Sequence, residues 1–585
     1  MILSLLNLVF SLCFVLVLAL IHVRACTNLL ITPGASSDQS TIISYNADAA
    51  SLYGMLYHYE KKLDIEEGTM RDVWDWDSGR YLGQIDESNE TFNVIGNVNE
   101  HGLIIGETTY GGLSSLQTQS KAKIDYGSLI YITLQRAKTA REAIEILDDL
   151  MQTYGYASEG ESFSVGDQNE VWIMEMIGKG EYELGSVWVA QKLPDGAVSG
   201  HANQARITTF DQNDYDSENV MFAPDVISFA RQIGAYDGAD EDFSFSDVYD
   251  PVTFDGARFC DARVWSFFST LMGSDWSNQY EDYATGRNLT NRMPLYVIPP
   301  VSVPLETIFA GMRNHYEGTV LDMTSSQFPD VGAEDGYSPY RDHPLTWESK
   351  GQTYLNERPI GTQQTGWNFI AQSRSWMPRE LAALMWFGVD DSSTTVRVPF
   401  YGSSKKAPNS FAGLGPQDGQ PAPMMKFDTK SAFYVFNLVA NWAYSKWNTI
   451  YPDVLSEIKR REHLYFQLVA DMDKKSLEIY NTNGPEDAIN MVTTFSVDLG
   501  DTLVREWFEF FGNLFVRYRD GYKITEDKNS EACNCSPGNA PYPSAWYDRI
   551  ASENPSHFQD GTSDAFELET QQHKPVSKKV LLQKK

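Results

Sequence analysis

Apolar residues run almost unbroken over residues 2–21 and stop at Val23-Arg24-Ala25-Cys26-Thr27. Beyond that point the pattern is that of alternating, half-buried strands. Residues 27–32 read as a strand, Pro33-Gly34-Ala35-Ser36-Ser37-Asp38 as a turn and residues 40–45 as a second strand, with Asn46-Ala47-Asp48 leaving it. This hairpin puts Cys26 at its open end and lets Asp48 return towards it. Residues 70–85 predict a hairpin around Asp77-Ser78-Gly79, and residues 92–99 and 102–109 a pair around Glu100-His101-Gly102. The second of these ends in Glu107-Thr108-Thr109, polar residues at the tip of an apolar strand, where site residues commonly lie. Apolar positions at helical spacing predict helices over 126–135 and 139–154, the latter opened by the capping box Thr139-Ala-Arg-Glu142. Short strands return at 162–167, 170–175 and 186–190, followed by the polar cluster Ser199-Gly-His-Ala-Asn203-Gln-Ala-Arg206.

Strands, two helices, then strands again predict an α/β (α+β) sandwich of mostly antiparallel sheets covered by helices. Helices are expected over 225–233, 257–271 and 304–317, and strands over 357–375 and 382–389, separated by a turn at Pro378. From about residue 427 the texture becomes aromatic and helical, with helices over 430–447, 454–474 and 501–518. The expected organisation is a leader (1–25), a main domain (26–426), a helical C-terminal region (427–525), and a loop with a basic tail (526–585).

Composition narrows the class. The chain has 585 residues, 42% hydrophobic and 13% aromatic, enough for a packed core and too apolar for a disordered protein. The formal net charge of −33, with no basic face before the extreme C-terminus, argues against a nucleic-acid binder. No second apolar run reaches the roughly 18–20 residues that span a bilayer, so no membrane association is expected once the leader is removed. Of five cysteines, Cys13 leaves with the leader, and Cys26, Cys260, Cys533 and Cys535 remain. That is too few for a disulfide scaffold. Cys533-Asn-Cys535 is too close and too solitary for a zinc site and reads as a loop with a local or long-range disulfide. If Cys26 is a nucleophile, one of the other three is unpaired.

Val23 and Ala25 are small enough for the two subsites that a signal peptidase reads, so a cut after Ala25 would leave Cys26 as the new N-terminus. Its thiol would be the nucleophile, and its own α-amine, of ordinary pKa about 8, the base. Other readings of the position are a disulfide half, a core thiol or a lipoprotein anchor; Arg24 argues against the last. The leader lacks Lys or Arg ahead of its apolar run, and a leader retained as an anchor would block the amine. Asp48 suits either an α-ammonium or substrate cation, or a turn. From the residues alone Asn203 reads as a loop-capping amide, and Arg263 as half of a structural ion pair with Asp261 or a distant acid. His101, His201 and Cys260 have no partner at recognisable spacing and read as structural. There is no Gly-rich phosphate loop and no His-Glu zinc motif, so no cofactor and no metal site are expected.

Ala25-Cys26-Thr-Asn-Leu, Tyr45-Asn-Ala-Asp48, Asn99-Glu-His-Gly, Gly106-Glu-Thr-Thr-Tyr-Gly-Gly112, Lys138-Thr-Ala-Arg-Glu-Ala, Gly160-Glu-Ser-Phe, Trp172-Ile-Met-Glu-Met, Ser199-Gly-His-Ala-Asn-Gln, Ala262-Arg-Val-Trp265 and Gln363-Gln-Thr-Gly366 together resemble the dipeptidase and secernin family of cysteine N-terminal-nucleophile hydrolases. The resemblance runs from Cys26 to roughly residue 400. It implies the αββα fold, Cys26 as nucleophile, Asp48 beside its amine, Asn203 in the oxyanion hole and Arg263 in the site. Thr109 falls near a second oxyanion donor that is an Asn in relatives, and Tyr45 falls where many relatives have an Arg, a fixed charge a Tyr cannot supply. Tyr45, Asn46, Glu107, Thr108 and Thr109 are expected on the substrate side. The function expected is a secreted cysteine-type dipeptidase acting on short peptides. The alternatives are an amidase for N-acyl amino acids, bile-salt-like amides or β-lactam side chains, and a non-catalytic secreted binding protein. Extracellular, periplasmic and lysosome-like destinations are all compatible, and Asn89, Asn288 and Asn534 stand in Asn-x-Ser/Thr sequons for a eukaryotic secretory route.

Overall fold

Two antiparallel sheets lie face to face in the computed structural model, which describes residues 26–559 except 214–216, 325–337, 341–342, 414, 532 and 543. The expected leader and the basic tail lie outside the described residues. The strands of the first sheet are, in spatial order, Tyr296–Val297, β7 (Val198–His201), β1 (Thr27–Ile31), β2 (Thr41–Asp48), β8 (Thr365–Ser373), β9 (Ala383–Val389) and β10 (Val398–Tyr401). The second sheet runs Val220–Phe222, β6 (Ser186–Lys192), β5 (Val171–Gly178), β4 (Gly160–Gly166), β3 (Ile104–Tyr110), Val98–Asn99, Val94–Ile95 and His58–Tyr59. Packing of β1 and β2 on β3, and of β2 on β4, joins the two.

Helices α1 (Tyr126–Leu134) and α2 (Ala140–Tyr154) cover the second sheet. On the other side, α3 (Ala262–Met272) packs on β7, and α4 (Leu305–Gly311) approaches so closely that a Cβ on Gly311 would strike Phe267. The result is a four-layer αββα sandwich, as the sequence and the resemblance lead one to expect. Thr139 caps α2, its hydroxyl accepting the Glu142 N–H at 3.2 Å. The Glu142 carboxylate reaches back one residue further than expected, to the Lys138 N–H at 2.7 Å.

Central strands buried on both faces lose the alternation that a sequence reader follows, and this explains the differences in boundaries. β2 does not end at Tyr45. All its residues through Asp48 are buried, because Asn46 pairs with Thr27 on one side and Asp48 with Thr365 on the other. Residues 92–99 are not one strand but two short ones, turned at Gly96 (φ 53°). The stretch ahead of Thr365 is loop rather than strand, and the helix of 304–317 stops at Gly311.

Three helices follow: α5 (Ala432–Ser445), α6 (Trp447–Asn483) and α7 (Pro485–Tyr518). The last two are much longer than the apolar spacing indicates and are broken only at Gly484 (φ 101°). They pack on β9 and β10 and share the core of the sandwich, with fully buried Trp507 stacked on Phe436. Arg374 pairs with Asp473 across this contact at 2.7 Å, and Arg313 pairs with Glu462. Cys533 and Cys535 form a disulfide, while Cys26 and Cys260 are free and buried. Among the described residues no helix is long and apolar enough to cross a membrane.

Candidate active site

Cys26 stands at the head of β1, in the middle of the first sheet, and is 5% exposed. The Tyr45 hydroxyl lies 3.5 Å from its sulfur. The Asp48 backbone N–H also hydrogen-bonds the sulfur. Burial pushes the thiol well above its ordinary pKa; Glu107 and Asp48 add to this, and the two hydrogen bonds oppose it. The group is therefore a neutral thiol that needs a base before it can attack. Tyr45 donates its hydroxyl to Glu107, tying β2 to β3 beside the sulfur, and Trp367 and Phe369 of β8 meet its ring edge-on.

Asp48 is fully buried. Its Oδ1 accepts the Thr365 hydroxyl at 2.6 Å, and its Oδ2 meets no donor among the described residues. Burial lifts this carboxyl to about 7, with Asp391 adding to the shift and Thr365, Arg263 and Arg358 opposing it. A buried acid next to Cys26, with one oxygen that meets no donor among the described residues, suits a further cation in direct contact.

Arg263, on α3, joins Cys26 to Asn203. One guanidinium nitrogen donates to the Cys26 carbonyl at 2.7 Å and the Thr27 hydroxyl at 2.8 Å; the other donates to the Ala202 carbonyl at 2.9 Å and Asn203 Oδ1 at 2.8 Å. Arg263 thus donates to backbone carbonyls, a hydroxyl and a side-chain amide. The Asp261 pairing considered for it does not form: Asp261 meets Arg206 at 3.3 Å and the Tyr283 hydroxyl. Asn203 adopts φ 67°, a left-handed conformation that Asn tolerates better than most residues. With Oδ1 on Arg263, its Nδ2 donates to the Thr109 carbonyl at 2.6 Å. One N–H of that half-exposed amide remains for a ligand oxygen.

The other expected residues divide. Glu107 and Tyr45 come to the sulfur. The Thr109 hydroxyl donates to Glu161 at 2.9 Å, so this side chain is not free to donate to an oxyanion and instead anchors the strand whose carbonyl holds Asn203. Thr108 bonds His201 Nδ1 at 2.7 Å, and His201 Nε2 bonds Ser164 at 2.7 Å. Burial, with Arg206 adding, pushes this imidazole down to about 3, so it is a neutral rivet between the sheets. Asn46 does not reach the substrate side. Its amide is spent on the Met312 carbonyl (3.2 Å), the Ile360 carbonyl (3.0 Å) and the Ser392 hydroxyl (3.1 Å). Strand alternation accounts for this, since neighbours Tyr45 and Asn46 point to opposite faces.

Sequence reasoning missed Thr365, Glu161 and Arg358 as members of the site. Thr365 lies inside Gln363-Gln-Thr-Gly366, a signal that was in view without a role attached. Arg358, a buried cation whose charge acts on Asp48, is a lone Arg in a loop and carries no local signal.

Cys26, Asp48, Arg263 and Asn203 thus lie together at one place in the fold. The family model "Peptidase family C69" matches residues 25–460, from one residue before Cys26 into α6, and the chain belongs to that family of cysteine peptidases. It is similar to the "Probable dipeptidase" of Salmonella dublin, 25% identical over 393 residues, covering 65% of this chain and 81% of that protein. It is also similar to "Dipeptidase A" of Lactobacillus helveticus, 21% identical over 517 residues and covering 84% and 96%. "Dipeptidase" of Bifidobacterium longum is 23% identical over 420 residues, covering 64% and 71%. The chain is a peptidase, an enzyme that hydrolyses peptide bonds.

Proposed function

We propose that the protein is a secreted cysteine-type dipeptidase whose nucleophile, Cys26, becomes N-terminal when the leader is cut after Ala25. The observation that carries this reading is the clamp by which Arg263 holds both the Cys26 carbonyl and the Asn203 amide, with Asp48 and Tyr45 on the sulfur.

In the cleaved chain the α-amine of Cys26 takes the thiol proton as the sulfur bonds the scissile carbonyl carbon. The carbonyl electron pair moves to oxygen, where the free N–H of Asn203 and a backbone N–H receive it, each donor typically worth about 3 kcal/mol in such sites. Collapse of this intermediate breaks the C–N bond, and the ammonium returns its proton to the departing amine. Water, losing a proton to the same amine, then attacks the thioester carbon, and the sulfur leaves and is reprotonated. The open oxygen of Asp48 holds an ammonium: that of Cys26 between proton transfers, or that of the substrate's N-terminus, which favours short peptides with a free amine.

The test is hydrolysis of unblocked dipeptides against N-acyl amino acids and bile-salt-like amides by the mature protein and its Cys26→Ser variant. Dipeptide cleavage that the variant loses by about 10³-fold or more is the expected result. Preference for acyl amides, or activity that survives Cys26→Ser, contradicts it.

A further inference from the structure

Thr365, whose hydroxyl holds Asp48, also lines a cavity of about 340 Å³. Its other walls include Ala50, Tyr340, Asp390 and Asn437, the last from α5. Asp390 follows β9 directly. It is 1% exposed and held at φ 66°, with its N–H on the Gly366 carbonyl at 2.8 Å and its carbonyl on the Asn368 amide at 3.1 Å. Its Oδ1 accepts the Asn437 amide at 2.9 Å, and its Oδ2 meets no donor among the described residues. A carboxylate oxygen kept out of water without a partner is costly, so its retention beside a cavity calls for an occupant that compensates it. No Lys or Arg pairs with Asp390 among the described residues. Burial, with the Asp391 charge adding and the Asn437 amide and Asp391 backbone N–H opposing, raises its carboxyl to about 8, so that the empty site holds a proton that an entering cation displaces.

We propose that this cavity is a substrate subsite that receives a cationic side chain, an ammonium or guanidinium, on the open Oδ2 of Asp390. The inference rests on the dipeptidase reading above. The substrate's α-ammonium is only one carbon from the scissile carbonyl, and Asp48, beside the sulfur, has its own open oxygen for it. Thr365 stands between the two acids, its hydroxyl on Asp48 and its residue lining the cavity that Asp390 also lines, so the group assigned to the cavity is the longer side chain. The C-terminal helical region, through Asn437, thereby takes part in choosing the substrate.

The experiment measures kcat/KM of the mature protein for Lys-Ala and Ala-Lys, each against its Nε-acetyl counterpart. The free ammonium is favoured by about tenfold or more in one pair, and that pair names the substrate residue that enters the cavity. Asp390→Asn, which tolerates the positive φ, brings that ratio to within about twofold. Ala50→Lys, at an exposed wall position, sets a tethered ammonium beside Asp390 and lowers the same ratio with the acid intact, so a folding failure of either variant leaves the other. Equal rates for both pairs in the parent protein, or an unchanged ratio in a folded variant, overturn the proposal. If the parent cleaves no dipeptide at all, Ala-Ala included, the dipeptidase reading falls. The subsite is then decided by thermal stabilisation: an upward shift with lysinamide but not Nε-acetyl-lysinamide, lost in Asp390→Asn, supports it, and no shift overturns it.

Discussion

Asn203 and Asp48 each stand in an environment that makes a different measurable demand. Asn203 holds a left-handed backbone to present one N–H. Asn203→Gly keeps that backbone without strain and removes the donor, so kcat is expected to fall by about 10²–10³ with KM little changed. A fall in KM-linked binding alone would show that the amide serves the ground state. Asp48, in the chain with Ala25 still attached, has a folded pKa of about 7 against an ordinary 3.8. Between those values the folded state keeps a proton that the unfolded chain has released, so this contribution to stability is present below about pH 4 and lost as pH rises through 7. Asp48→Asn has no such dependence, and thermal unfolding from pH 4 to 8 should show the parent losing ground to the variant as pH rises. The neighbourhood of Cys26 and Asp48 follows from the turn between two apolar runs, whereas that of Asn203 and Arg263 with Cys26 came only with the family resemblance, because it joins segments far apart in the chain. The fates of Asn46, Thr109 and Arg358 were not legible, because they depend on which distant carbonyl or acid a neighbouring layer delivers.

Among the elements, β1 and β2 were readable from a turn and two apolar runs, and their pairing alone brings Cys26 and Asp48 together. The lengths of α6 and α7 were not readable, since their outer faces are polar and apolar periodicity marks only the buried stripes. Those helices cover β9 and β10, and β9 leads directly into Asp390. Trp507, fully buried on α7 against Phe436, is the test of that coupling. Trp507→Ala should cost about 3–5 kcal/mol, as large aromatic truncations do. Thermal unfolding is expected to show one cooperative transition at a lower temperature. A separate early melting of the helices, with the sandwich unaffected, would show that the C-terminal region folds independently.

At the scale of the whole molecule, the buried, neutral thiol of Cys26 needs a base, and on the reading proposed above that base is the α-amine that a cut after Ala25 would expose. Asn89 and Asn534 are exposed, while the Asn288 amide is engaged with Asp282 at 2.9 Å, so the sequons differ in how accessible they are. The central claim is that leader removal and activation are one event. It is tested most directly by the intact mass and N-terminal sequence of the secreted protein, read alongside its dipeptidase activity. The account predicts a chain beginning at Cys26, with a free amine, in every active preparation, and no activity in chains that keep Ala25. Activity in a chain that begins elsewhere, or whose Cys26 amine is blocked, would contradict it.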